Sequence, residues 1–326
     1  MSAGGFFASA ALAALAALLI ERFFGYPQAL HRLIRHPAVW MGTVIALLDK
    51  GLNRPESPNA TWRGLMALAV LLFIVAVVTV PLMLFLRSLP FGYLAEGLLA
   101  ASLLAQRDLG HRVGDVADAV ARGVEDGRRA LGHIVGRDTD ALDKAGISRA
   151  AIESLAENTS DGVVAPLLWL LVGGLPGAAL YKAINTADSM IGYRSETYRR
   201  FGWAAARLDD LVNWLPARLT GLLFAATAAL LGGKGAAALA AMRRDAPRHV
   251  SPNAGWPEAA LAGALGLKLG GPRSYQGSIV ELPWMGVGRS DLGPEDIETS
   301  IAFYRRALDV LLAFTVAVAV AVIVVA

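Results

Sequence analysis

Carboxylates, amides and arginines gather in one stretch of this chain, residues 148–218. Its first part, SRAAIESLAENTSDGVVAP, spaces Glu153, Glu157 and Asp161 at i, i+4 and i+8. A helix through these residues stacks the three acids on one face, with Asn158 beside them. Like charges four residues apart repel by about 0.2–0.5 kcal/mol per pair, so such a stack persists more easily where a cation offsets it. The stack also runs directly into a hydrophobic segment, and acids at a membrane boundary are costly to keep. The next part, YKAINTADSMIGYRSETYRRFG, sets Asn185 and Asp188 three apart. AARLDDLVNWLPARLTG then puts Arg207, Asp210 and Asn213 on one helical face, Asp209 four before Asn213, and Arg218 after Pro216.

These residue types suggest phosphate chemistry. Carboxylates and Asn amides are hard oxygen ligands, and nucleotide-bound Mg²⁺ takes one or two carboxylates alongside phosphate oxygens. Arginine supplies forked recognition of phosphate or carboxylate. Membrane prenyltransferases also use paired acid clusters, so the pattern by itself leaves the reaction open. Two further stretches are weaker. GHIVGRDTDAL (132–142) sets Gly136-Arg137-Asp138-Thr139 in a turn that could hold phosphate or simply end one helix and cap the next. Residues 251–277 are rich in Gly and Ala, with Asn253, Glu258 and Tyr275 as their main polar groups. Small residues there permit close approach of another helix or of a large flat ligand. Gly233-Lys234 lacks the flanking Gly and Ser/Thr of a Walker A loop. The chain has no cysteine, which excludes thiolate chemistry and Cys-ligated metals. His31 and His36 miss the i, i+4 spacing of a helical zinc pair.

The elements that must position these groups belong to a membrane. The chain is 55% hydrophobic and 17% charged, which excludes an ordinary soluble domain. Residues 64–86 form a charge-free run long enough to cross a bilayer, and 3–20 and 308–326 are further spans. No Lys or Arg precedes Arg22, so 3–20 reads as a retained span rather than a cleaved leader. Lys and Arg number six in 21–63, nine in 87–162, six in 181–218 and nine in 234–306. The positive-inside rule asks for all four loops on the cytoplasmic side. Helical hairpins satisfy it: 64–86 going out and 91–105 returning, and 163–184 broken at Gly173–Gly177 as a re-entrant turn. Each half of 163–180 has only about ten residues, too short to span. That hairpin would bring the acids before and after it to the cytoplasmic face. Segment 219–242 is likewise broken, near Gly232–Gly235, and 106–162 is a charged, solvated helical region. The expectation is one all-α, polytopic membrane domain over 1–326. The net charge of +3 is spread over several loops, which gives no sign of a nucleic-acid partner.

Read together, the stretches closely resemble the adenosylcobinamide-phosphate synthase family of cobalamin biosynthesis, CobD/CbiB. The matching segments are GRDT (136–139), AIESLAENTSDGVVAP (151–166), YKAINTADSMIGY (181–193), ARLDDLVNWLPARL (206–219) and PNAGWPEAALAGALGLKLGG (252–271). Tyr275-Gln276-Gly277, and His36-Pro37 with Trp40-Met41-Gly42, also match. The family's usual early Asp and Gly-Asp-Pro step are Glu21 and Gly25-Tyr26-Pro27 here.

The resemblance implies an ATP- and Mg²⁺-dependent amide ligase in the cytoplasmic membrane, its active site facing the cytoplasm. It would join adenosylcobyric acid to (R)-1-aminopropan-2-ol or its O-phosphate. Glu153, Glu157, Asp161 and Asp210 are the expected catalytic groups. Glu157, Asp161, Asp188, Asp209 and Asp210 are the expected Mg²⁺ ligands. Arg137, Asp138, Asn158, Asn185, Arg207, Asn213, Arg218, Asn253, Glu258 and Tyr275 are the expected substrate or phosphate contacts. Another Mg²⁺-dependent membrane transferase, or a non-catalytic sensor on the same fold, is the alternative. A homo-oligomer or a complex with other cobalamin-assembly enzymes stays open.

Overall fold

Runs of Ala, Leu and Val uninterrupted by Pro or by clustered Gly make helices, and helices are most of the described chain. The computed structural model describes residues 2–136, 138–193, 195–275 and 278–325, with backbone alone at Ala3, Gln28, 273–275 and 278–280. In chain order the helices are α1 (Ala3–Phe24), α2 (Gln28–Ile34), α3 (Pro37–Leu52), α4 (Ala60–Arg87), α5 (Gly92–Ala101), α6 (Gln106–Arg122), α7 (Val124–Leu131) and α8 (Lys144–Thr159). A π-helical turn, Ser160–Val164, leads into α9 (Ala165–Ile191). Then come α10 (Trp203–Val212), α11 (Trp214–Gly232), α12 (Gly235–Asp245), α13 (Gly255–Leu265) and α14 (Pro294–Val325). Between α13 and α14 lie four short strands, β1 (Leu269–Gly270), β2 (Arg273–Tyr275), β3 (Ser278–Val280) and β4 (Trp284–Met285). β1 pairs antiparallel with β4, and β2 with β3.

Five segments are long and apolar enough to cross a membrane: Gly4–Phe24, Ala60–Arg87, Lys144–Ile191, Trp214–Gly232 and Pro294–Val325. The protein is a multi-pass, all-α membrane protein. It packs as two compact units interleaved in sequence: 1–105, 165–213 and 314–326 form the first, and 106–164 and 214–313 the second.

In the first unit, α5 lies on α1 through small residues. A Cβ on Gly97 would come within 2.6 Å of Ala16 Cβ, so bare backbone replaces side chain at that crossing. α5 has ten residues. At about 1.5 Å per residue that covers half of a bilayer core, so the full span expected over 91–105 is corrected to a half-length helix.

α9 is a hairpin. Gly174 leaves the helical region at φ 63°, ψ −159°, and Pro176 follows. The Trp169 Nε1–H donates to Val212 O at 3.2 Å, and the Tyr181 hydroxyl donates to Asn213 Oδ1 at 2.9 Å. Residues 169 and 181 thus meet adjacent residues of one segment, whereas a straight helix would hold them about 18 Å apart. A Cβ on Gly177 would sit 2.2 Å from Trp169 O, so glycine is what lets the arms close.

The returning arm runs antiparallel to α4. Ala187 and Ile191 meet Ala67, Leu68 and Leu71, while Gly174 lies beside Met83 and Arg87. The turn expected at Gly173–Gly177 is therefore present; the outgoing arm of α9 is short, but the returning arm is not. The helix continues through Asn185 and Asp188, where polar residues had marked an end in the sequence. The returning arm from Leu175 to Ile191 covers about 25 Å.

The second unit is built on α6 and α7, whose apolar faces bury Val113, Val116, Val120 and Leu131. Asp108, Asp115, Asp118 and Glu125 stay exposed, as expected for a solvated pair. The break expected near 232–235 is a turn through Gly233, φ 71°, that folds α12 back on α11. The span there is α11 alone, 19 residues.

Topology is testable in this cysteine-free chain. Single cysteines at Asp140 and Ser195, both exposed, should escape a membrane-impermeant thiol reagent on intact cells, and Ser88→Cys should react. All three should react after lysis. Labelling of just one of 140 and 195 from outside would contradict the hairpin.

Candidate active site

In the first unit, α9 and α10 bring Asp188, Asp209 and Asp210 together at the foot of the hairpin. The reversal between them is tight: a Cβ on Gly202 would lie 1.6 Å from Ile191 O. Asn185 donates its Nδ2–H to Asp209 Oδ1 at 3.4 Å. Burial, then the charge of Asp188, and last that of Asp210 push the Asp209 carboxyl up to about 7, against the pull of the Asn213 and Asn185 amides. This is what crowded carboxylates do where each one's charge penalises its neighbour. Asn213 caps α10 and is buried, while Arg207 is exposed on the same helix. The expected shared face of Arg207, Asp210 and Asn213 is thus split between solvent and interior.

In the second unit the expected acid stack is divided. Glu153 is buried, and its Oε1 accepts the Gly270 N–H at 2.6 Å, tying α8 to β1. Glu157 is exposed. The π-helical turn that starts at Ser160 carries an extra residue per turn, so Asp161 leaves the i, i+4 register. Asn158 spends its amide on Ser154, with Nδ2 2.9 Å from Ser154 O. Arg218 lies between two indoles, 4.2 Å from the ring centre of Trp214 and 4.5 Å from that of Trp256. It donates to Trp214 O at 2.6 Å and to Asn253 Oδ1 at 3.3 Å. It therefore serves first as a clamp between α11 and the segment before α13. Glu258 is buried 3.8 Å from His249 Nε2, a neighbour that the sequence did not single out.

The profile of the family described as CobD/Cbib protein matches residues 14–304. The chain belongs to the CobD/Cbib protein family. It is 49% identical over 293 residues to the cobalamin biosynthesis protein CobD of Rhodobacter capsulatus, covering 90% of this chain and 92% of that one. It is 45% identical over 313 residues to the protein of the same name from Brucella suis, covering 92% and 94%. For that of Rhizobium meliloti the identity is 46% over 302 residues, covering 90% and 92%. No solved structure matches. Membership makes this chain an enzyme of cobalamin biosynthesis.

Among the CobD/Cbib positions expected to act, the structure draws together Asp188, Asp209 and Asp210 with Asn185 and Asn213, and separately Arg218 with Asn253. Asp138 is exposed. Arg137 and the Tyr275 side chain lie outside the described residues. No group of three His, Cys, Asp or Glu among the described residues is arranged to hold a metal ion. Sequence reasoning missed the Arg87–Glu96 pair at the hairpin tip. The lone acid in an otherwise apolar stretch was its signal.

Asp209 sets a pH dependence. Its folded pKa of about 7 exceeds the ordinary 3.8, so the folded chain binds this proton more tightly than the unfolded one. Stability from this group is lost as pH rises from about 4 to about 7. Asp209→Asn removes the ionisation. The variant's melting temperature relative to the parent should rise between pH 5 and pH 8, and parallel curves would contradict the assignment.

Proposed function

We propose that this protein is an ATP-dependent amide ligase joining adenosylcobyric acid to (R)-1-aminopropan-2-ol or its O-phosphate. The observation that carries the reading is the crowding of Asp188, Asp209 and Asp210 at one foot of the hairpin, in a chain of the CobD/Cbib family. Carboxylates whose burial and crowding push one of them up to about 7 suit a cation that relieves them. With no closed set of three ligands among the described residues, the metal would be shared with phosphate oxygens and water, the usual state of nucleotide Mg²⁺. Asp188, Asp209 and Asp210 are candidates to hold it, as are Glu157 and Asp161. When bound, Mg²⁺ offsets charge on the transferring phosphoryl group.

The chemistry balances as two displacements. The propionate oxygen of the corrinoid attacks the γ-phosphorus of ATP, and ADP leaves with the bridging oxygen. The amine nitrogen then attacks the acyl carbon, inorganic phosphate leaves, and one proton passes from nitrogen to a base. Glu157, exposed at the end of α8, is the candidate base, with Asp210 as the other. The active site is proposed to face the cytoplasm, where ATP is.

The test is mass spectrometry of the corrinoid after incubation with purified protein, ATP, Mg²⁺ and each amine. The corrinoid should gain the mass of one amine less one water, only when ATP and Mg²⁺ are present. An unchanged mass with both amines would defeat the reading. Alanine at Glu157, Asp188 or Asp210 should cost about 10² or more in turnover, within the range for lost acid–base or metal groups. Asp118→Ala, on the solvated face of α6, should leave turnover unchanged.

A further inference from the structure

We propose that the groove between the end of α3 and the first turns of α4 holds one anionic phospholipid, its phosphate on Arg63 and an acyl chain along the outer face of α4. The site lies in the first unit and does not depend on the ligase reading.

The groove is an open cavity of about 510 Å³ lined by Leu52, Asn59, Trp62, Arg63 and Met66. Trp62 is 68% exposed and Met66 56%, so its walls are largely apolar and accessible. Arg63 stands at one end of the charge-free run 64–86, with Trp62 beside it. That is the headgroup level of a span, where indoles and cations gather. From there exposed apolar residues recur at helical spacing: Met66, Val70, Phe73 and Val77 follow Trp62 at steps of four, four, three and four. Trp62 to Phe73 covers about 17 Å, close to the depth of one leaflet of a roughly 30 Å core. The groove therefore opens onto a stripe that an acyl chain can follow toward the bilayer centre.

Charge selects the headgroup. Among the described residues Arg63 makes neither an ion pair nor a side-chain hydrogen bond. Its place in the first turn of α4 sets a cation at the positive end of the helix dipole, so helix stability does not account for it. Lys50 and Arg54 lie just before α4, and Arg200 reaches the same segment by donating to Pro58 O. Arg54 donates to Asn53 O at 2.8 Å. Of the two acids in 49–63, Asp49 already accepts Asn53 Nδ2 at 2.9 Å and the Tyr198 hydroxyl at 3.1 Å, and Glu56 is exposed. Four cations against two acids leave the patch positive. Asn59 makes no capping hydrogen bond with its side chain, so its amide is available as a further donor to phosphate.

The occupant follows from cation and stripe together. A free phosphate would use Arg63 and gain nothing from Leu52, Trp62 and Met66. A zwitterionic lipid would offer the same phosphate but bring an ammonium into a patch already positive. An anionic lipid satisfies both the charge and the apolar wall.

The experiment is native mass spectrometry of the purified full-length protein in detergent micelles carrying equal amounts of phosphatidylglycerol and phosphatidylcholine. The parent should retain one phosphatidylglycerol in preference to phosphatidylcholine. Arg63→Gln should weaken that retention about fivefold, the loss expected for one basic group at an anionic lipid surface. Arg63→Lys should restore most of it, and equal melting temperatures in lipid-free detergent separate a lost contact from lost folding. Arg32→Gln, which removes an exposed cation of α2 outside the groove, should retain lipid as the parent does. Equal retention of the two lipids, or unchanged retention by Arg63→Gln, would overturn the proposal. Displacement of phosphatidylglycerol by inorganic phosphate would make this a site for a free anion instead. A dimer in lipid-free detergent that Met66→Ala breaks would mean that a second copy fills the groove, and that too would overturn the lipid assignment.

Discussion

The first unit depends on one buried ion pair. Arg87 and Glu96 meet through Nε to Oε2 at 2.7 Å and Nη2 to Oε1 at 2.9 Å, with side chains 3% and 0% exposed. Charges so buried are tolerated only when geometry and further hydrogen bonds compensate the lost hydration. Both conditions hold. The guanidinium packs 4.4 Å from the ring centre of Phe6, and Glu96 Oε1 also accepts the Leu175 N–H at 2.9 Å. That last bond reaches the residue immediately after the Gly174 turn. A Cβ on Gly174 would come within 2.8 Å of both charged groups. The pair therefore fixes where the hairpin turns, and from that point the returning arm delivers Asn185 and Asp188 to Asp209.

Acids in the second unit divide by a similar rule. Three buried carboxylates there bind backbone: Glu153 takes the N–H of Gly270, Asp245 that of Gly286 at 2.8 Å, and Asp296 that of Gly293 at 2.9 Å. These bonds anchor short ribbons and turns that are too small to hold themselves. Glu157 stays at the surface. A carboxylate committed to an amide is a poor base or metal ligand, so exposure separates the acids that can react from those that brace the fold.

The spans, the loop charges and the break at Gly173–Gly177 were legible because each is a local property: hydrophobic length, Lys/Arg count, and Gly-Gly-Leu-Pro-Gly as a helix breaker. The depth of the hairpin was not. The polar side chains of Asn185 and Asp188 read as the end of a span, whereas the helix runs on past them, with Asn185 bonded to Asp209. The half-length of α5, the π-helical turn at Ser160 and the inward turn of Glu153 were equally hidden. Each is decided by a partner far along the chain, such as Gly270 for Glu153. Arg218 read as a phosphate contact because its type suits one, and its packing against Trp256, 38 residues on, was not legible. The grouping of Asp188 with Asp209 and Asp210 came from the family resemblance rather than from spacing, and its crowding became visible only once α10 folded against α9.

The claim that the buried pair holds the hairpin is tested most directly by a double-mutant cycle on unfolding in detergent. Glu96→Leu and Arg87→Met alone should each destabilise by about 3–5 kcal/mol, because each leaves the other charge buried and unmatched. The double variant should cost no more than either single one, since both charges are then gone. Small, additive losses from the two single substitutions would contradict the account, because the pair would then be incidental to where the hairpin turns.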